Sequence, residues 1–398
     1  MKRVRITVVV FVMLLFPIYA KAKPMMPFDA PVSRLIQNIE QLLQRKPDDY
    51  YLHYLAGRLY SLVYATNTQT LLAQEYSYAE KTGKITEYFV PMLRWDSGPN
   101  PHETVPLSKK LIRRMYLKKA TKEYEKAVSL NPKHGFSFLG LAWCLEESSQ
   151  PDKALDAYRN AFDILYEVAM KGHFCSGCED VAAEEAGNAI LKLLKNKVQS
   201  NKERKEIENK LKEVKKAYVR GWISPVVFPV EPLTESAIRP HIQIFKQQPF
   251  IPFDISGLGV THLVRWLPGT WAFLVWDPEN TKSITSGKQL FGSVTWWIFW
   301  NDGYEPLSLL DDNHDGWLKG SELEGIAVWR DENQDGVSQL HEVRPLPFYN
   351  ITGIKTKPDG KIEGMFFSRG GLLLSDGTML PTLDWIPEVH DEPVPPGI

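Results

Sequence analysis

The sequence predicts an α+β protein: an N-terminal α-helical repeat domain followed by a C-terminal mixed domain of short strands, turns and acidic loops. Three observations carry this expectation. Before about residue 220 the chain is rich in Leu, Ala, Lys and Glu with helical periodicity. Beyond that point tryptophans, glycines and prolines thicken. Within the second part, acidic residues gather at 311–342 in two loops of matching spacing. The shift falls near Gly221, where a basic helix over 201–220 gives way to Ile223-Ser224-Pro225-Val226-Val227-Phe228-Pro229. Pro225, Pro229 and Pro232 cannot sit in a helix interior, because each lacks an N–H and clashes with the preceding turn. The expected division is 1–22, a leader; 23–220, the helical domain with an insertion at 66–112; 221–250, a Pro-rich connection; and 251–398, the acidic-loop domain.

At the start, Lys2, Arg3 and Arg5 precede an apolar run from Ile6 to Ile18 that ends in Tyr19-Ala20-Lys21-Ala22. These are the charged, apolar and A-x-A parts of a secretory signal peptide. The run is shorter than the roughly 20 apolar residues that span a bilayer. A mature chain is therefore expected from about Lys23, periplasmic or secreted, with no transmembrane segment. The most apolar later stretches, Trp271 to Trp276 and Val294 to Trp300, have strand length. A formal net charge of −1 argues against a general nucleic-acid binder. Three cysteines are too few for a disulfide scaffold, so the fold must rest on its core.

The helical part carries a repeat. Ala120, Tyr124 and Ala127 are followed by Pro132, and Ala154, Tyr158 and Ala161 return at the same spacings of 4 and 3. Between them Phe138, Leu141, Ala142 and Leu145 mark the first helix of a pair. Small alanines are required where two helices cross closely. An earlier copy surrounds Pro47, with Leu35, Ile39 and Leu42 before it and Ala56, Gly57 and Tyr60 after it. Over roughly 33–165 this resembles the tetratricopeptide repeat family. The resemblance implies a protein partner held through the helical repeats. The insertion 66–112, with Pro91 to His102 as an irregular loop, is either a decoration of a binding face or a loop with no partner. Two further amphipathic helices, 181–197 and 201–218, are expected to cap the array, and Cys144 is read as core.

Calcium takes six to eight hard oxygen ligands, which an EF-hand loop supplies from positions 1, 3, 5, 7, 9 and 12 around a glycine at 6. From Asp311 the sequence offers Asp311, Asn313, Asp315, the Trp317 carbonyl and Glu322, with Gly316 at the turn. From Asp331 the pattern returns as Asp331, Asn333, Asp335, the Val337 carbonyl, Gln339 and Glu342, with Gly336 at the turn. Position 9 of the first loop is Lys319, which cannot ligate, so a water is expected in that corner. Ser338 replaces the usual apolar residue at position 8 of the second loop. Residues 323–330 leave room for one short helix shared by both loops, an arrangement that favours a structural calcium clamp over a switch.

The order of Leu274-Val275-Trp276-Asp277, Ile284 to Gly292, Asp302-Gly303-Tyr304-Glu305, both loops and the ending Leu374 to Trp385 is similar to a family of exported bacterial EF-hand-containing proteins. Over roughly 250–386 that resemblance implies calcium binding and an extracytoplasmic address, with no agreed catalytic activity. It also implies a calcium loop at Asp277. Here Asp277 and Glu279 hold positions 1 and 3, but Thr281 and Lys282 stand where Asp and Gly are expected. That segment and Asp254-Ile255-Ser256-Gly257 are read as turns.

Cys175 and Cys178 form a CxxC beside His173, with no second pair to complete a zinc site. A local disulfide and a free or metal-bound pair both fit. Trp296, Trp297, Phe299 and Trp300 are read as core and the lysine-glutamate face of 202–219 as solvated. No P-loop, G-x-S-x-G, H-E-x-x-H or dinucleotide fingerprint occurs. The expected function is an exported calcium-binding interaction or scaffold protein. The alternative is an exported enzyme acting on a cell-envelope or surface polymer.

Overall fold

A computed structural model describes residues 30–66, 107–171, 179–195, 201–216, 223–233, 235–257 and 261–393. The leader at 1–22, the Cys175–Cys178 pair with His173, and residues 67–106 of the insertion lie outside these residues.

The first half is helical: α1 (Val32–Arg45), α2 (Tyr50–Thr66), α3 (Leu107–Leu130), α4 (Gly135–Glu147), α5 (Pro151–Lys171), α6 (Glu179–Leu194) and α7 (Asn201–Lys216). α2, α4 and α6 lie side by side, backed by α3, α5 and α7, while α1 packs on α2. The repeat residues sit where their spacing puts them: Ala120, Tyr124, Ala127, Ala154, Tyr158 and Ala161 are all buried between paired helices. Tyr124 shows why small residues are needed. A Cβ added to Gly140 would lie 2.2 Å from the ring, and one added to Gly57 would lie 2.9 Å from it. Only glycine lets α2 and α4 approach this ring from two directions. Cys144 is buried in α4, as a core residue with a free thiol.

In the second half, nine strands among the described residues make one antiparallel sheet in the order β5 (Trp317–Lys319), β8 (Ile351–Lys355), β10 (Met365–Leu374), β11 (Met379–Asp384), β1 (Val226–Pro229), β4 (Trp271–Trp276), β6 (Ile326–Trp329), β7 (Val343–Pro345). β9 (Gly360–Ile362) pairs with β10. The strands β12 (Val389–Pro393), β3 (His262–Arg265) and β2 (Phe250–Phe253) form a smaller antiparallel sheet. The large sheet must curl. From β5 to β6 is six strand steps, about 29 Å if flat. The chain from Lys319 to Ile326 spans at most about 25 Å even when extended. Gly320–Leu323 is instead a tight 3₁₀ turn. The sheet therefore bends back on itself, and aromatic rings pack along β4 and β6, where Phe273 stacks on Trp329 with ring centroids 5.4 Å apart and Trp266 lies edge-on to Trp329 at 5.7 Å.

Three local expectations are corrected. Residues 323–330 hold no shared helix: Ile326–Trp329 is β6, buried throughout between β4 and β7. The segment 221–250 is not only a connection. It supplies β1, a fully buried inner strand, and the helix α8 (Glu235–Phe245). The run Val294 to Trp300 is core as read, but it is no strand. Thr295–Trp297 is a 3₁₀ turn, and Trp296 and Trp297 both take left-handed backbone, with φ of 55° and 59°. Each such non-glycine residue costs roughly 1–2 kcal/mol, offset here by burial of both indoles.

This strained aromatic turn meets the helical array. Arg58 of α2, fully buried, donates from Nη2 to the Trp297 carbonyl at 2.9 Å, and its guanidinium lies 5.4 Å from the Phe299 ring centre. Phe136 of α4 stacks on Phe299 at 6.3 Å. The α2–α4 surface of the array is thus taken by the chain's own second half.

Candidate metal centre: two acidic loops

The first acidic loop follows the short helix α9 (Tyr304–Ser308) and runs into β5. Asp311 is buried, and both its oxygens hold the loop backbone: Oδ1 accepts from the Asp315 N–H at 3.2 Å and Oδ2 from Gly316 at 2.8 Å. Asn313 Oδ1 accepts from Asp315 at 2.7 Å, and Asp315 Oδ1 from Trp317 at 2.8 Å. Glu322, also buried, closes the loop. Its Oε1 accepts from Asp312 at 2.9 Å and its Oε2 from Lys319 at 3.0 Å. The sharp turn is made at His314 and Gly316, with φ of 59° and 88°. Nothing lies within 4 Å of a Cβ placed on Gly316, so the left-handed backbone, not crowding, calls for glycine.

The second loop joins β6 to β7 with the same wiring. Asp331 takes the N–H groups of Asp335 and Gly336 at 3.3 and 2.8 Å. Asn333 takes Asp335 at 3.2 Å, and Asp335 takes Val337 at 2.8 Å. Glu342 takes Glu332 at 2.9 Å and Gln339 at 3.1 Å. Its turn is at Gln334 and Gly336, with φ of 58° and 71°. Trp317 opens β5, whereas Val337 lies exposed outside any strand.

The corners at position 9 differ. Lys319 Nζ stands 4.0 Å from Asp315 Oδ2, bringing a charge where a water was expected. Gln339 donates from Nε2 to Asp335 Oδ2 at 2.8 Å, and its Oε1 is a buried acceptor with no hydrogen-bond partner.

The surroundings, which the sequence did not reveal, differ more. Trp266 donates its indole N–H to Asp331 Oδ2 at 2.6 Å, and Gln334 reaches the Leu267 carbonyl at 2.8 Å. Burial raises the Asp331 carboxyl, the Gly336 N–H and Trp266 lower it, and burial prevails. Around the first loop the contacts come from α1. Arg34 and Asn38 both reach Asp312 Oδ1 at 2.8 Å. For Asp312, burial acts upward, but these bonds outweigh it and hold the carboxyl below its usual range. No local pattern marks partners some 270 residues away.

The Asp277 segment is a closed turn. Its carboxylate is engaged by the Thr281 N–H and hydroxyl and by the Lys282 N–H, at 2.8, 2.9 and 2.9 Å. At Asp254, Oδ1 accepts the Ser256 hydroxyl at 3.1 Å. A third acidic group is made of buried Asp302 and Asp384 and half-buried Glu305, which reaches Tyr51 of α2. Asp302 takes the Tyr304 N–H at 2.8 Å, Asp384 takes Gly303 at 3.1 Å, and Glu305 takes the Asn301 N–H at 2.8 Å and the Tyr51 hydroxyl at 2.7 Å. Among the described residues, no group of three or more His, Cys, Asp or Glu side chains is arranged to hold a metal ion. Beside its carboxylates the first loop carries the side-chain amide of Asn313, and the second those of Asn333 and Gln339. Among the same residues no helix is long and apolar enough to cross a membrane.

A family model described as the SPM domain matches residues 241–378, a range that holds both acidic loops and β2 to β10. A stretch of 107 residues is 33% identical to the iron-regulated protein FrpA of Neisseria meningitidis serogroup C, covering 26% of this chain and 10% of that protein. The chain thus spans a tenth of the length of this relative. Among solved structures, the Yersinia enterocolitica type III secretion chaperone SycD, in complex with a peptide of the translocator YopD, is similar at 20% identity and a TM-score of 0.13, over 27% of this chain and 87% of that one.

Proposed function

We propose that this chain is an exported calcium-binding scaffold protein, in which two EF-hand-type loops hold the C-terminal domain together and the helical array engages a protein partner. The supporting observation is that two separate loops reproduce one wiring, in which position 1 binds the amides of 5 and 6 and position 12 binds the amide of 2. The donor set fits a hard cation. Asp311, Asn313, Asp315 and Glu322, and Asp331, Asn333, Asp335, Gln339 and Glu342, offer oxygens, whereas zinc sites favour nitrogen and sulfur. In the second loop the orphaned Gln339 Oε1 adds a buried oxygen whose lack of a partner a cation would relieve. The carbonyls of Trp317 and Val337 complete the two sets. Bound calcium would draw these oxygens together and neutralise their charge, and a cation that binds only the folded form stabilises it by mass action.

The leader expected at 1–22 and the exported family that residues 250–386 resemble motivate a periplasmic or secreted address. Because α2 and α4 already hold the Trp297–Phe299 turn, the array would receive a protein partner on its other faces. The alternative, an exported enzyme, gains no observation here. Asp302, Glu305 and Asp384 stand together, but they are spent on tying backbone amides and Tyr51 at the junction of the two halves.

Calcium titration of the full chain by calorimetry tests the reading. We expect two sites and a raised melting temperature; at a free concentration of 100 Kd each site adds about 2.7 kcal/mol. Asp315→Ala combined with Asp335→Ala should remove both effects. No heat and no stabilisation at millimolar calcium would refute it.

A further inference from the structure

The two acidic loops are wired alike inside but are held from different sides. The second is braced by its own domain, through Trp266 on Asp331 and Gln334 on the Leu267 carbonyl. The first is braced by α1, from the other end of the chain. Asn38 donates from Nδ2 to the Leu309 carbonyl at 2.9 Å and to Asp312 Oδ1 at 2.8 Å. Arg34 donates from Nε to Asp312 Oδ1 at 2.8 Å, and its Nη2 serves the Leu310 carbonyl and, at 3.4 Å, that of Glu322. Gln41 pairs with His314 at 3.2 Å, inside the turn. One guanidinium therefore spans the residue before position 1 and the residue at position 12, the two ends that must meet for a cation to be enclosed.

We propose that α1 is a latch on the first loop. Arg34 and Asn38 are positioning residues that preorganise its cation site, and a cation bound there in turn clamps the helical array onto the C-terminal domain. This rests on the calcium reading of the loops. Fixing both ends of a loop in advance removes ordering entropy from the binding step. Linkage makes the effect reciprocal: if docking of α1 tightens the cation, the cation tightens docking by the same factor. The proposal assigns the loops different tasks, the first joining the halves and the second bracing one of them.

The sign of one substitution separates a latch from a charge effect. Arg34 brings a positive charge beside a cation site, so electrostatics alone predicts that Arg34→Gln tightens calcium binding. A latch predicts the opposite. Calcium titration of the full chain should show Arg34→Gln and the uncharged change Asn38→Ala each weakening one of two sites about 5- to 10-fold, within the usual range of coupling between sites. The loss should persist in an Asp335→Ala background, where only the first loop binds, and vanish in an Asp315→Ala background. Calcium should also slow amide hydrogen exchange across α1 in the wild type and not in Asp315→Ala. Circular dichroism of each variant, matched to the wild type, identifies the folded chains to be compared. If the wild type binds calcium at two sites but folded Arg34→Gln and Asn38→Ala bind as it does or tighter, the latch is overturned and the calcium reading stands. If the wild type binds none, both fall.

Discussion

At the scale of single residues, buried acids set how stability responds to pH. Burial first, and the neighbouring Asp302 charge second, push the Glu305 carboxyl up to about 7, and burial takes Asp180 of α6 to about 7 as well. Both groups ionise near pH 4 in an unfolded chain. Between about pH 4 and 7 the folded state keeps protons that the unfolded state releases, so stability falls as pH rises through that window and levels off above it. At about 1.4 kcal/mol per pKa unit, each acid carries on the order of 4 kcal/mol. Melting in the presence of a chelator should show the wild type less stable at pH 8 than at pH 5.5, with Glu305→Gln losing less over the same interval. An unchanged slope in Glu305→Gln would show that this carboxyl is not the one responding.

Among elements, the helix pairs follow their spacing because side-chain size alone sets how closely two helices cross. Gly140 gives a quantitative test. Alanine in a helix interior is favoured over glycine by about 1 kcal/mol. Here the added methyl would stand 2.2 Å from the Tyr124 ring, and overpacking a filled core costs about 1–3 kcal/mol. Urea unfolding of Gly140→Ala should therefore show a net loss, larger than that of Gly57→Ala, where the contact is 2.9 Å. The short strands leave a weaker local signal. Ile326 to Trp329 suits a buried helical turn as well as a strand, and it becomes β6 because β4 and β7 offer it partners on both edges. Residues 226–229 look like a proline-bounded connector, yet β11 and β4 take them between them. By contrast Trp271 to Trp276 is β4 as its length and apolarity predict.

For the whole molecule, the decisive feature is the joint between the halves. Arg58 on the Trp297 carbonyl, Phe136 on Phe299, Tyr51 on Glu305 and α1 on the first acidic loop make one continuous contact. Truncating a buried phenylalanine costs about 3–5 kcal/mol, so Phe299→Ala should weaken the joint by that order. Scanning calorimetry should then show one melting transition in the wild type and two in Phe299→Ala. A single transition in both would mean that the halves are coupled elsewhere.

By itself the sequence determined the helix pairs, the loop turns and the matching Asp, Asn and Glu spacing of the two acidic loops. Each of these depends on neighbours within a few residues: alanine and tyrosine at helical spacing, glycine at a left-handed turn, and Asp, Asn and Glu at fixed steps. Trp296 and Trp297 were legible as core for the same reason, since their apolarity is local, but not as a left-handed turn. Only the tertiary structure decided that Trp266 holds Asp331, that the strand order folds the sheet back on itself, and that Arg34 and Asn38 grip the first loop. Those contacts join residues far apart in the chain through ordinary polar side chains. Their energy comes from burial and geometry that exist only once the halves have met, and no periodicity or spacing records it.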